Sequence, residues 1–200
     1  LKKNLCGLFA ALFAAGFAGC GGGPRTYTVV DGTMLGTTLH VVADVEGVSS
    51  QELYAAVMEL DREAKASMSI FDPASLLSRL NRNETDSVDR HIAFNLRLAD
   101  SIGALSGGRY DVTVKPLVEA WGFAGKAAQA HPNVDSILDF VGREKVRIER
   151  GRLVKSDPRV QLDFNSVAKG YTVDLLAEPV DLLKLCQQYL GLREVPVWVA

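Results

Sequence analysis

Cysteine is scarce. The 200 residues hold three, Cys6, Cys20 and Cys186. An odd, scattered set is no disulfide framework, and without a CxxC pair neither a zinc ribbon nor a dithiol redox centre can be built. Histidine is as sparse: His40, His91 and His131 lie far apart with no HxxxH, which argues against a zinc hydrolase. A surplus of either charge is also missing, with 22 Lys and Arg against 24 Asp and Glu, a formal net charge of −2. A general nucleic-acid binder carries a basic excess, so that class is set aside. Beyond the first twenty residues no uncharged apolar run is long enough to span a bilayer. Internal repeats and low-complexity linkers are lacking after Pro24. What remains, 48% hydrophobic and 23% charged, is the composition of a packed chain.

The N-terminus has the order of an export signal. Lys2 and Lys3 precede the apolar run Leu5 to Phe17, and Ala18-Gly19-Cys20 is followed by Gly21 to Gly23. Basic, apolar and small residues in that order form a secretory signal peptide. Small residues just before a cysteine resemble the bacterial lipobox, with Phe17 where Leu is commonest. The expected division is a signal peptide over 1–19, a lipid-bearing Cys20, and a short tether over 20–25. Acyl chains on Cys20 would hold the protein to a membrane of the cell envelope, at ~0.8 kcal/mol per buried CH₂. The alternative is an N-terminal core helix with an incidental cysteine.

The pattern along 26–178 predicts an α+β fold, with a mixed sheet and helices but no regular βαβ rhythm. Thr26 to Val30 and Thr37 to Val45 read as strands joined by a loop from Asp31 to Gly36. Ser49-x-x-Glu52 is a capping box opening a helix with Leu53, Val57, Leu60 and Ala64 inward. A short strand is expected over Ala66 to Phe71 and a short helix over Ser75 to Asn81. Arg90 to Ser106 reads as a helix with Leu98, Ile102 and Leu105 inward, stopped by Gly107-Gly108. Tyr110 to Val114 reads as a strand, and Pro116 opens a helix to about Trp121. A helix over Asn133 to Val141 precedes a hairpin of Lys145 to Glu149 and Arg152 to Lys155. A strand over Val160 to Phe164 leads into a helix from Asn165 to Glu178.

Three stretches could carry chemistry. In Gln161-Leu-Asp-Phe-Asn-Ser-Val-Ala-Lys-Gly-Tyr171 a strand gives way to a helix start, where free N–H groups favour anions. Lys169 lies about one turn in, on the side of Ser166 or Asn165. Gly170 costs ~1 kcal/mol in a plain helix interior, so it suggests close approach by a ligand or another backbone. Asp163 alternates with Leu162 and Phe164 and faces away from both. An N-capped helix with a solvated Lys fits the same residues. In Gly107 to Phe123, Trp121 and Phe123 flank Gly122 and could stack on a ring system. Trp121 as a core anchor is the other reading. In Asp31 to Thr38, Met34 could pack on an aromatic ligand, or the segment is an ordinary corner between strands. The basic stripe Arg143, Lys145 and Arg147 reads as a solvated edge.

Together these stretches resemble the ApbE family, the FAD:protein FMN transferases. The matching segments are Gly32-Thr-Met-Leu-Gly-Thr-Thr-Leu-His-Val41, Met68-Ser-Ile-Phe-Asp-Pro73 with Ser78-Arg-Leu-Asn81, Gly108 to Phe123, and Leu162-Asp-Phe-Asn-Ser-Val-Ala-Lys-Gly-Tyr-Thr-Val-Asp174. The resemblance implies binding of FAD and a divalent metal, usually Mg²⁺. It implies cleavage of the FAD pyrophosphate, attachment of FMN to a Thr or Ser of a partner flavoprotein, and loss of AMP. Acceptors in redox pumps or reductases are expected. Hydrolysis of FAD to FMN and AMP is an alternative, as is a non-catalytic flavin-binding lipoprotein. Residue by residue it places Met34, Trp121, Gly122, Phe123, Asp163 and Lys169 on FAD. Phe71 stands there too, where the family often has Tyr. Ser166 would offer an oxygen to the metal, through its backbone carbonyl. The resemblance spans 26–178. The stretch 179–200, opening on Pro179, is expected to be a non-matching tail, as from a shifted frame, a shortened gene or a genuine divergent short form. The family's acidic metal ligands would then be missing.

Overall fold

Thr28–Met34 (β1) and Thr37–Ala43 (β2) pair antiparallel, from Thr28 opposite Ala43 to Met34 opposite Thr37. The computed structural model describes residues 27–44 and 48–177. The expected loop from Asp31 to Gly36 shrinks to the two residues Leu35 and Gly36, whose φ of 48° and 74° make the turn that suits strand twist. Gly32 therefore lies within a strand. Its role is closeness, since a Cβ there would come within 3.0 Å of the Tyr54 ring.

Ser50–Met68 forms α1. The capping box is present: the Ser49 hydroxyl accepts the Glu52 N–H at 3.2 Å, and the Glu52 carboxylate accepts the Ser49 N–H at 2.8 Å. Leu53, Val57, Leu60 and Ala64 are buried as the periodicity requires. The strand expected over Ala66 to Phe71 is absent. The stripe Leu60, Ala64, Met68 continues at i+4 spacing, so the helix gains its last turn by burying Met68. Ser69 then turns the chain. Its hydroxyl accepts the N–H groups of Phe71 and Asp72, and its carbonyl accepts the hydroxyls of Ser75 and Ser78. Ser75 caps α2, Leu76–Asn81, by accepting the Ser78 N–H at 3.1 Å.

Arg90–Leu105 (α3) is capped by Asp89. Its buried face is His91, Ile92, Asn95, Leu96, Ala99 and Gly103. Leu98 and Ile102 pack at the margin of the core, and Leu105 is 90% exposed rather than inward. The face is rotated because the helix is crossed closely at Gly103, where a Cβ would come within 2.9 Å of the Tyr110 carbonyl and the Arg143 side chain. Gly107 and Gly108 take positive φ and stop the helix, as expected.

The strands expected over Tyr110 to Val114 and Val160 to Phe164 reduce to one parallel bridge, Val114 to Gln161. Asp111 Oδ1 accepts both the N–H and the hydroxyl of Thr113, which curls the first segment out of extension. In the second segment the alternation survives. Val160, Leu162 and Phe164 are fully buried while Gln161 and Asp163 are half-exposed. Lys115–Ala120 (α4), Val134–Leu138 (α5) and a short 3₁₀ turn at Arg143–Lys145 lead to the hairpin Val146–Glu149 (β3) and Arg152–Lys155 (β4). Asn165–Ala177 is α6. Among the described residues the fold is α+β, with the strands in two separate antiparallel pairs.

Two cores result. The larger joins the end of α1 to α2, α3, β3, β4, the 160–164 segment and α6. The smaller lies between the β1–β2 hairpin and the start of α1. Leu35 and Leu175 touch both. The larger core has a polar fastening. Asn81, buried on α2, donates from Nδ2 to the Leu162 carbonyl at 2.8 Å and accepts the Leu162 N–H at 2.8 Å. One carboxamide thus does for Leu162 what a neighbouring strand would do. Nearby, Lys155 Nζ donates to the Leu80 carbonyl at 2.7 Å and to Asn83 Oδ1 at 2.9 Å. Burial nevertheless pushes its ammonium down to about 8.

Asn81→Ala leaves a buried N–H and a buried C=O unpaired and is expected to cost about 2–4 kcal/mol in urea unfolding. A loss under about 0.5 kcal/mol would mean water or relaxation replaces the clamp. Lys155 sets a pH dependence. Below pH 8 both folded and unfolded chains carry its proton, and the folded chain bears the cost of burying the charge. Between about 8 and 10.4 only the unfolded chain stays protonated, so stability rises with pH through that window. Lys155→Met is expected to flatten the rise; parallel pH profiles for the two proteins would show that the ammonium is not the cause.

Candidate functional site

The larger core ends at a pocket of about 430 Å³ whose walls come from three places in the sequence. Ala64, Lys65 and Met68 are the last turns of α1, and Ser69, Phe71 and Asp72 are the loop beyond it. Leu35 and Gly36 are the hairpin turn. Asn165, Ala168 and Lys169 are the first turns of α6.

Each wall is held by a specific bond. Asp61, 7% exposed on α1, accepts the Leu35 N–H on one oxygen at 2.8 Å and the Lys65 ammonium on the other at 2.5 Å. A buried carboxylate is costly unless fully engaged, and here it fixes the turn and a cation together. The Ser69 hydroxyl holds the chain so that Phe71 stands 65% exposed. Asp163 starts α6, accepting the Asn165 N–H at 2.7 Å while its own N–H donates to the Val112 carbonyl at 2.8 Å. Asn165 and Lys169 then share a helix face at i+4 spacing, and both line the pocket. The result is an apolar recess with an aromatic edge, two ammonium groups and one lining carboxylate, Asp72, whose Oδ1 is engaged by the Ala74 N–H. Such a recess suits a flat, partly apolar ligand that carries negative charge.

The residues expected to bind a ligand divide into groups. Phe71 and Lys169 come together in the pocket. Asp163 is half-exposed next to it and acts on the backbone of Asn165. Met34 is 4% exposed in the smaller core, so its side chain packs inward and the turn after it forms the wall. Trp121 and Phe123 are 56% and 66% exposed and are not part of this wall, and Trp121 is not a core anchor. Gly122 between them has φ of 83°, and a Cβ would meet Ala128 at 2.7 Å, so the tight loop admits glycine alone. Among the described residues no atom comes within 4 Å of a Cβ placed at Gly170, so none of their backbone approaches it. Cys20 lies outside the described residues.

A divalent cation does not fit the described residues by themselves. No three His, Cys, Asp or Glu side chains among them gather as a metal would need. The Ser166 hydroxyl is bonded to the Tyr110 hydroxyl at 2.8 Å. Sequence reasoning missed Asp61, Lys65, Leu35 and Asn165 as site residues. The signal for two of them was present: an Asp inside an apolar helical stripe with a Lys four residues on.

The chain matches the model of the ApbE family over residues 35–187, running past Glu178 into the stretch expected to be unlike the family. A protein of Haemophilus influenzae named FAD:protein FMN transferase is 30% identical over 205 residues, covering 95% of this chain and 59% of its own length. One of the same name from Vibrio cholerae is 31% identical over 164 residues, covering 78% and 49%. The solved flavin transferase ApbE of Vibrio cholerae superposes with a TM-score of 0.72 at 27% identity, over 88% of this chain and 58% of that one. The chain thus spans about half to three-fifths of the length of these relatives. The family match over most of the sequence, with the Haemophilus relative aligned along nearly all of it, shows that the chain belongs to the ApbE family.

Proposed function

We propose that this chain supplies the flavin-binding part of an FAD:protein FMN transferase. The observation that carries the reading is the convergence of Phe71, Lys65 and Lys169 on one apolar recess in a chain of this family. Phe71 offers a ring face to the flavin, and Lys169 answers the negative charge of the pyrophosphate. In the reaction a Thr or Ser hydroxyl of a partner flavoprotein attacks the FMN-side phosphorus. The bond to the AMP oxygen breaks, AMP leaves, and the hydroxyl proton passes to solvent. Mg²⁺ would supply charge neutralisation at the pyrophosphate. Its ligands are not gathered among the described residues, so binding and orientation of the flavin are the roles that fall to them. Trp121, Gly122, Phe123 and Asp163 belong to the proposal as further flavin contacts, Met34 through its backbone, and Ser166 as a metal-facing carbonyl.

Flavin binding without transfer is the second reading, favoured by the lack of a metal-binding group among the described residues. Lipid attachment at Cys20 and a place on the periplasmic or extracytoplasmic face of a bacterial envelope membrane complete the proposal; the small residues before the cysteine support it.

Titration with FAD, followed by flavin fluorescence, is expected to show saturable binding. Phe71→Ala and Lys169→Ala should each weaken it about three- to tenfold. Adding Mg²⁺ and a threonine-bearing acceptor should release AMP and add FMN mass to the acceptor. Binding with no AMP would leave the second reading standing, and no binding of any flavin would sink both. For the anchor, mass spectrometry of the protein from a bacterial host should find acyl chains on Cys20, and Cys20→Ala should move it from membrane to soluble fractions. An unmodified wild-type Cys20 would remove the anchor.

A further inference from the structure

We infer that Lys65 is the residue by which the pocket distinguishes a phosphorylated flavin from bare flavin, an assignment that rests on the flavin reading of the site. Lys65 lines the recess beside the apolar Ala64 and Met68, on the wall formed by α1, while Lys169 comes from α6. Its side chain is 47% exposed, so the ammonium is reachable, and its direction is set from behind. Asp61 accepts it at 2.5 Å and is itself locked by the Leu35 N–H. An ammonium has three donors; among the described residues Asp61 takes one, which leaves two for phosphate oxygens. Apolar walls lower the local dielectric and strengthen such a bond over its value in open water. Two cations from two helices, against one lining carboxylate, Asp72, match a ligand whose negative charge is spread over a pyrophosphate; Asp61, behind the wall, orients Lys65 and offsets part of its charge.

Lys65 also sits in the last turn of α1, where a cation balances the helix dipole. That structural role acts on stability and is blind to which flavin is offered. The test therefore reads ligand choice. Dissociation constants for FAD, FMN and riboflavin are measured on the 200-residue protein, on Lys65→Met and on Lys65→Arg, with Lys65→Gln as a second neutral variant should the Met protein fold poorly. The neutral variants are expected to lose about five- to tenfold in affinity for FAD and FMN relative to riboflavin, and Lys65→Arg to restore most of it. The fall of FAD affinity with added salt should be shallower in the neutral variants. An unchanged FAD-to-riboflavin ratio in both neutral variants overturns the assignment of Lys65 while leaving flavin binding intact. A wild-type protein that binds none of the three overturns the flavin reading and this assignment together.

Discussion

One side chain holds the frame on which the pocket is built. Leu162 lies in a segment with the alternation of a strand, but apart from one bridge it has no strand beside it. The carboxamide of Asn81 supplies both missing hydrogen bonds from 81 residues away. Everything after Leu162 inherits its position: Asp163 holds the N–H of Asn165, Asn165 opens the next helix, and Lys169 follows on the same face. The clamp lies wholly inside the larger core, where water cannot take over its bonds and each group left unpaired carries the full cost of desolvation. A polar residue in that place gives direction, which the surrounding leucines, being nondirectional, could not.

The opposite wall has its own anchor of different character. Asp61 uses charge where Asn81 uses neutral dipoles. Its two oxygens join a backbone N–H of the hairpin turn to an ammonium on its own helix. Leu35 sits at positive φ without being glycine, a conformation that side chains other than glycine seldom adopt, and the bond from Asp61 helps hold it there. The pocket is therefore set by two buried polar residues, one on α2 and one on α1, before any ligand arrives. Preformed walls of this kind spare a ligand the cost of ordering them.

Much of this was legible in the sequence, and the failures share a cause. Helices declared themselves through periodicity and the Ser49 capping box, so α1, α2, α3 and α6 lie close to the helices expected from Ser49, Ser75, Arg90 and Asn165. Segments expected as strands at 66–71, 110–114 and 160–164 did not form ladders, because α1 runs on to bury Met68 and side chains captured the rest of the backbone: Ser69 and the Asp111–Thr113 pair locally, and Asn81 from afar. Leu105 misled because its spacing ignored the close crossing at Gly103. Lys169 and Phe71 were readable through family resemblance. Asp61 and Lys65 were not singled out, since the i, i+4 pair resembles any solvated helical ion pair until burial is known.

Among the described residues the two cores share Leu35 and Leu175, α1 runs from one core into the other, and Asp61 bonds the hairpin turn. A two-stranded hairpin has slight stability of its own, and what it borrows comes from the smaller core it shares with the start of α1. Opening that smaller core lets the hairpin part from α1 at a lower free energy than the whole chain unfolds. The same turn forms one lip of the pocket. Opening and closing of the recess is thereby tied to the smaller core, and a ligand that touches Leu35 or Gly36 would gain from, and add to, the fastening of the hairpin to α1.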